Sequence, residues 1–237
     1  MKTAQSNRLL KISLQALCVA VVLGASSAWA AFVTWDLNPN NLNQPVGSAT
    51  QDFTVSGSTI TASGWDNNSF SSHGNAPNTP HELFYKFDPN DADEHGLGLV
   101  DTLHNELQVD ANGHPLNFIQ LNLTSILAQG FINGQISVGS VQPGELFNLY
   151  GSHTLGTLGT LLNPTPFGNG DDRQFVDVPD FGTYEFISVV AAALDVLPVA
   201  FRADLVPIPE ATTLIPALLL ATSAILVEVR RRRRASA

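Results

Sequence analysis

Short runs in which apolar and polar residues alternate, or in which β-branched and aromatic residues cluster, recur along this chain and decide the kind of fold open to it. They are Asp52-Phe53-Thr54-Val55, Thr59-Ile60-Thr61-Ala62, Leu83-Phe84-Tyr85-Lys86-Phe87, Phe118-Ile119-Gln120-Leu121-Asn122-Leu123, Gln135-Ile136-Ser137-Val138, Glu145 to Tyr150, Tyr184 to Val190 and Val196 to Phe201. Turn formers lie between them, among them Asp88-Pro89-Asn90-Asp91, Asn112-Gly113, Pro143-Gly144 and Asn163-Pro164. Two-residue alternation puts every second side chain on one face of a strand, so each run buries one face and wets the other. Helical spacing of apolar residues is poor across the same region, which excludes a helical bundle. Many short strands joined by Gly, Pro and Asn turns predict an all-β fold, an antiparallel β-sandwich that is jelly-roll-like. Thr124 to Phe131 fits one short helix or an edge loop. Ser188 to Val196 is Ala-rich and leaves strand and helix both open.

The chain has 237 residues, of which 44% are hydrophobic and 14% charged. That is long and apolar enough for one sizeable domain and too weakly charged for a wholly disordered protein. Its bases gather at the two ends. Between Ala31 and Val206 three bases, Lys86, Arg173 and Arg202, stand against nineteen carboxylates, a formal charge of −16. Such a body repels phosphate backbones, which excludes nucleic acid as a partner.

The ends read as addresses. Residues 1–30 run from a basic start (Lys2, Arg8, Lys11) through an apolar stretch, Ile12 to Gly24, to Ala28-Trp29-Ala30. This is the layout of a secretory signal peptide, with Ala28 and Ala30 placing cleavage before Ala31. The single cysteine, Cys18, falls inside that leader, so the mature chain has neither a disulfide framework nor thiol chemistry. The body, 31–205, is then one secreted domain resting on its core or on bound metal. Residues 206–237 form a tail: Val206-Pro207-Ile208-Pro209-Glu210-Ala211, an apolar run from Leu214 to Val227, and Arg230, Arg231, Arg232, Arg233 and Arg234. As a helix the run from Thr212 to Val229 spans about 27 Å, enough for a thin bilayer, with the arginines on the cytoplasmic side.

A Pro-Glu motif, a short apolar helix and a terminal arginine cluster resemble the PEP-CTERM sorting signal of exported bacterial proteins. The resemblance covers about the last 32 residues, with the signal peptide as its companion. It implies recognition by an exosortase, a membrane-embedded cysteine transpeptidase, at Pro209-Glu210-Ala211. Here Ala211 stands where the pattern has its second Pro, and Pro207-Ile208 precedes it. The body is also similar, more loosely, to secreted domains that accompany such tails, through Glu94-His95-Gly96-Leu97-Gly98-Leu99, Phe118 to Leu121 and Leu149-Tyr150-Gly151. That similarity implies a β-sandwich without established activity.

Chemistry in the body concentrates at Asp88, Asn90, Asp91, Asp93 and Glu94, five oxygen-bearing side chains in seven positions. A turn with alternate carboxylates supplies three or four of the six to eight oxygens that Ca²⁺ takes, although the EF-hand spacing is missing. A solvated acidic turn is the competing account. Asp171, Asp172, Asp177 and Asp180 form a weaker second group. Six histidines, His73, His81, His95, His104, His114 and His153, show no zinc spacing. No Gly-x-Ser-x-Gly elbow, P-loop or mature cysteine occurs, so no catalytic residue is assigned. Sugar rings stack on aromatic faces, and Trp65, followed by Asp66-Asn67-Asn68, is the candidate carbohydrate contact. The expectation is a non-enzymatic protein exported with signal peptidase, passing through the inner membrane, sorted by an exosortase to the envelope surface or extracellular matrix, and binding polysaccharide there. A secreted polysaccharide hydrolase and a plain tail-anchored periplasmic module are the alternatives.

Overall fold

The computed structural model describes residues 31–67, 78–100, 102–205 and 231–232. The predicted leader and nearly all of the tail, with Ala28, Ala30, Pro209, Glu210, Ala211, Arg230, Arg233 and Arg234, lie outside the described residues, while Arg231 and Arg232 are exposed. Among the described residues no helix is long and apolar enough to cross a membrane. Residues 31–206 form one compact unit.

In chain order the strands are β1 (Ala31–Asp36), β2 (Gln44–Pro45), β3 (Thr50–Val55), β4 (Ser58–Asp66), β5 (Thr79–Pro80), β6 (Leu83–Asp88), β7 (Asp91–Leu99) and β8 (Leu107–Gln108). They continue with β9 (Asn117–Asn122), β10 (Phe131–Gly139), β11 (Leu146–Ser152), β12 (Thr160–Leu161), β13 (Phe175–Asp177), β14 (Phe186–Ala193) and β15 (Asp195–Leu205). A short helix, α1 (Thr124–Ala128), follows β9. Every strand pairing is antiparallel. The first sheet has the order β1-β15-β10-β13, with β8 attached to β15. The second runs β12-β11-β14-β9-β4-β3, with β5 attached to β4. A third, small sheet is β2-β6-β7.

The antiparallel, sandwich-like all-β architecture follows from the alternation. Along β11 from Leu146 to Gly151 half-buried and buried residues take turns, and the buried Phe147 and Leu149 belong to the core. That core collects Trp35, Ile136 and Phe201 from the first sheet and Ile60, Ile119, Leu121 and Ile187 from the second. Trp35 is fully buried, its indole Nε1 donating to Ser58 O at 3.0 Å and its ring lying 5.5 Å from Phe131 and 5.9 Å from Phe201. With no cysteine in the body, this burial carries the fold.

Each of the eight predicted runs coincides with a strand, with Leu123, Glu145, Tyr184 and Glu185 at the ends of three of them lying just outside. Thr124 to Ala128 is helical, and the Ala-rich stretch is strand on both sides of Leu194, whose φ of 55° turns the chain from the second sheet into the first. One expectation is corrected. Asp91, Asp93 and Glu94, expected in an acidic turn, lie in a nine-residue strand, Asp91–Leu99, and the turn is confined to Pro89-Asn90. Its composition is poor for a strand; pairing with β6, from Leu83 opposite Leu99 to Asp88 opposite Asp91, overrides that preference.

The glycines of β7 show what it is pressed against. A Cβ on Gly96 would lie 2.6 Å from Pro198 O, and one on Gly98 would lie 1.7 Å from Asn105 O. Backbone on backbone cannot relax as a side-chain tip can. Gly98→Ala is therefore expected to lower unfolding free energy by about 1–3 kcal/mol in urea titrations, while Gly170→Ala, with nothing within 4 Å of its added Cβ, stays close to the parent. Equal stabilities for the two variants would refute the close approach.

Candidate functional site

The hairpin β6-β7 brings three of the predicted acidic residues, Asp88, Asp91 and Glu94, to one cleft, and it does so unequally. Asp88 accepts hydrogen bonds from its own turn, from Asn90 N at 2.8 Å and Asn90 Nδ2 at 3.1 Å. Asp91 is exposed at the strand start. Glu94 points inward: Lys86 pairs with Gly96, so Glu94, two residues earlier on β7, lies diagonally across on the same face and forms an ion pair with Lys86. The side chain of Asp93 lies outside the described residues. Asp88, Asp91, Glu94 and Lys86 line a cleft of about 570 Å³ together with Phe87 and His104. Among the described residues no three His, Cys, Asp or Glu side chains converge as a metal site.

A residue that sequence reasoning did not assign completes the arrangement. Glu106, with 3% of its side chain exposed, forms a second ion pair with Lys86. Two successive left-handed residues, His104 (φ 59°) and Asn105 (φ 58°), turn the chain into position just before it. Thr102 Oγ1 donates to Glu106 O at 2.9 Å and fixes the corner. Ser140 Oγ faces both carboxylates, 3.3 Å from Glu94 and 3.4 Å from Glu106. The one lysine of the body thus sits between two glutamates that also hydrogen-bond each other.

Two ionised carboxylates offer only acceptors, so a hydrogen bond between them requires a proton. Burial, reinforced by the bond to Glu94, pushes Glu106 up to about 8 and places the proton there. Burial also opposes ionisation of Glu94, but hydrogen bonds from Glu106 and Lys86 outweigh it and hold Glu94 below the usual glutamate value. Burial would lower Lys86; its bonds to the two carboxylates raise it instead. The cluster is then neutral, with one ammonium, one carboxylate and one carboxylic acid. Around it Glu145 is raised by burial and by the like charges of Asp195, Glu94 and Asp172.

Opposite displacement of two carboxyl groups is what acid–base catalysis uses. Glycoside hydrolysis, however, needs the pair about 5–9 Å apart so that a sugar and a nucleophile fit between them. Glu94 and Glu106 are in contact, and the second is buried. The cluster braces the small sheet to the segment before β8 and to Ser140.

The other candidates lie elsewhere. Asp171 accepts from Gly168 N at 3.0 Å, Asp172 from Val141 N at 3.0 Å and Asp177 from Gln135 Nε2 at 2.5 Å, each in its own local bond. His81, His114 and His153 each pair with a carboxylate, Asp66, Asp110 and Glu185 respectively. Trp65 is half-buried on β4. Its ring stacks on Phe118 at 6.5 Å and lies against the backbone of Gly156, where an added Cβ would come within 2.8 Å. Its Nε1 is buried without a hydrogen-bond partner among the described residues. No family model, curated protein or solved structure matches the chain.

The shared proton gives the protein a stability profile of definite sign. An unfolded glutamate titrates near 4.5 and folded Glu106 near 8, so its contribution is complete below the first value and is lost as pH rises through the second. Between about pH 4.5 and 8 the parent should lose up to about 1.4 kcal/mol per pH unit from this group, and Glu106→Gln, which keeps a neutral hydrogen-bonding side chain, should give a flatter profile in urea titrations. Lys86→Met, which strands the remaining charge, should cost about 3–5 kcal/mol near neutral pH.

Proposed function

We propose that this chain is an exported, non-enzymatic jelly-roll protein that an exosortase sorts to the cell envelope surface or the extracellular matrix, where its body binds polysaccharide. In this reading residues 1–30 are a cleaved signal peptide and 206–237 a sorting tail with a membrane-spanning helix. The observation that carries it is the register of the terminal strands. Ala31, the first residue after the proposed leader, pairs with Leu205, the last strand residue before the Pro-Glu segment. The folded unit therefore closes on itself between the two addresses, and removing either one leaves every strand pairing among the described residues intact.

The jelly-roll reading draws on strand order. From β9 onward the chain crosses repeatedly between sheets, giving β1-β15-β10-β13 in one and β12-β11-β14-β9 in the other, the interleaving of two Greek keys. The β3-β4 hairpin extends the second sheet beyond β9. A hydrolytic role is less well supported, because the carboxylate pair of the cleft is closed on its lysine and leaves no gap for a glycosidic bond.

Intact-mass measurement on the protein recovered from its native host tests both ends at once. The expected species lacks residues 1–30 and the tail beyond about Pro209, in keeping with the small-residue cleavage rule for the leader. A species that keeps its C-terminal residues would overturn sorting and leave a tail-anchored module.

A further inference from the structure

We propose that a groove at the Leu205 end of the first sheet is a subsite for amine-bearing sugar residues of a polysaccharide, with Asp204 receiving the ammonium group. The proposal rests on the reading that the body binds polysaccharide and names the class of sugar and the residues that take it.

The groove is built by register and by a bulge. Asp204 on β15 pairs with Phe32 on β1 and with Ile132 on β10, so the three form one row across the sheet. Phe32 is 48% exposed and Ile132 43%, whereas Asp204, between them, is only 8% exposed. The pairing of β10 with β15 shifts between Ile132 and Gln135, where Asn133 takes a φ of 54°. Bulges of this kind re-aim side chains, and the Asn133 amide here reaches Asp204. Across from the bulge the turn after β13 lays Phe181 on Gly134, so closely that a Cβ there would be 2.1 Å from the ring. The space between is about 720 Å³, lined also by Gln135 and Asp177.

Asp204 is short of a partner. Among the described residues its carboxylate accepts one hydrogen bond, from the neutral Asn133 Nδ2 at 3.0 Å, and forms no ion pair. The cation nearest in sequence, Arg202, is committed elsewhere: its guanidinium lies 4.4 Å from the Phe32 ring centre and 3.9 Å from that of Phe175, and its Nε donates to Gln135 Oε1 at 2.6 Å. The rest of the carboxylate opens on the groove, and a charge with so little exposed surface is best met by a cation or by several donors supplied from there. The missing group is therefore positive and hydrogen-bonding, and small enough to reach between Phe32 and Ile132.

A sugar ammonium has these properties. It brings one charge and three donors, while the C–H face of its ring rests on the exposed side chains that flank Asp204. The body's charge of −16 favours a polycation and repels uronic or sulfated polymers. A neutral sugar would leave the charge uncompensated, and the donor set is too small for a bare metal ion.

The test is calorimetric titration of the full chain in detergent with three probes: a glucosamine hexamer, the fully N-acetylated hexamer and hexalysine. The glucosamine hexamer is expected to bind, and the N-acetylated one to bind about tenfold more weakly or less. Asp204→Asn should lose about tenfold for the glucosamine hexamer while melting with the parent. Phe32→Ala should weaken the sugar and leave any hexalysine binding unchanged. If neither sugar binds the parent, both the subsite and the polysaccharide reading fall. If both sugars bind equally, or Asp204→Asn binds as the parent does, the subsite falls and the reading survives. Hexalysine binding as tightly as the glucosamine hexamer would reduce the site to general charge attraction and overturn it.

Discussion

The ladder made by β15 is the interaction on which the rest of the structure depends. This eleven-residue strand pairs with β1 along one edge and with β10 along the other, and takes β8 at its start. Phe201, opposite Trp35 and Ile136, fills the centre of the core. β7 lies against its first half, where a Cβ added to Gly96 would come 2.6 Å from Pro198 O. The small sheet therefore covers one half of the face and leaves the other half open. Both sites described above follow from that division. The braced cleft reaches Asp195 through His104, 3.4 Å away, and the open groove lies around Asp204 at the opposite end of the same strand.

Because β15 begins one residue after β14 ends, the passage between sheets is made by Leu194 alone. A left-handed backbone costs a non-glycine residue roughly 1–2 kcal/mol, and Leu194 bears it with its side chain 54% exposed. Neither feature stabilises the fold. The corner persists because the strands on each side are held by long ladders, β14 to β9 and β11, β15 to β1 and β10.

What the sequence made legible is what depends on neighbours two residues apart. The eight runs, their turns and the sandwich-like packing of their apolar faces all rest on that local period. β7 was hidden because Asp-Ala-Asp-Glu-His-Gly-Leu-Gly-Leu has no strand preference of its own; its partner strand and the close approach of Asn105 and Pro198 supply the reason. Half of the acidic cluster was visible for the same local reason, since Lys86 and Glu94 share one hairpin. Glu106 was not, because it meets Lys86 only after the corner at His104 and Asn105. The one available signal was Lys86 itself, the only lysine of the body, set among Phe84, Tyr85 and Phe87 in a strand. Asp204 and Asn133 meet across 71 positions through a bulge that no local pattern marks.

The distribution of the few cations decides what the surface can recognise. Lys86 is taken inside by two glutamates, and Arg202 is held between two phenylalanine rings. Little positive charge is left to balance the carboxylates of the body, so its field is nearly of one sign. At physiological salt that field decays within about 8 Å, too short to choose a partner at a distance but long enough to grade groups already at the surface. An anionic polymer is turned away there, and a neutral one meets only geometry. A polymer carrying amines meets both the field and, in the row of Phe32, Asp204 and Ile132, a buried acid between two apolar neighbours. Selectivity of this kind requires Arg202 to stay on its two rings: a cation free to turn toward the groove would satisfy Asp204 from within and leave nothing for a ligand to supply.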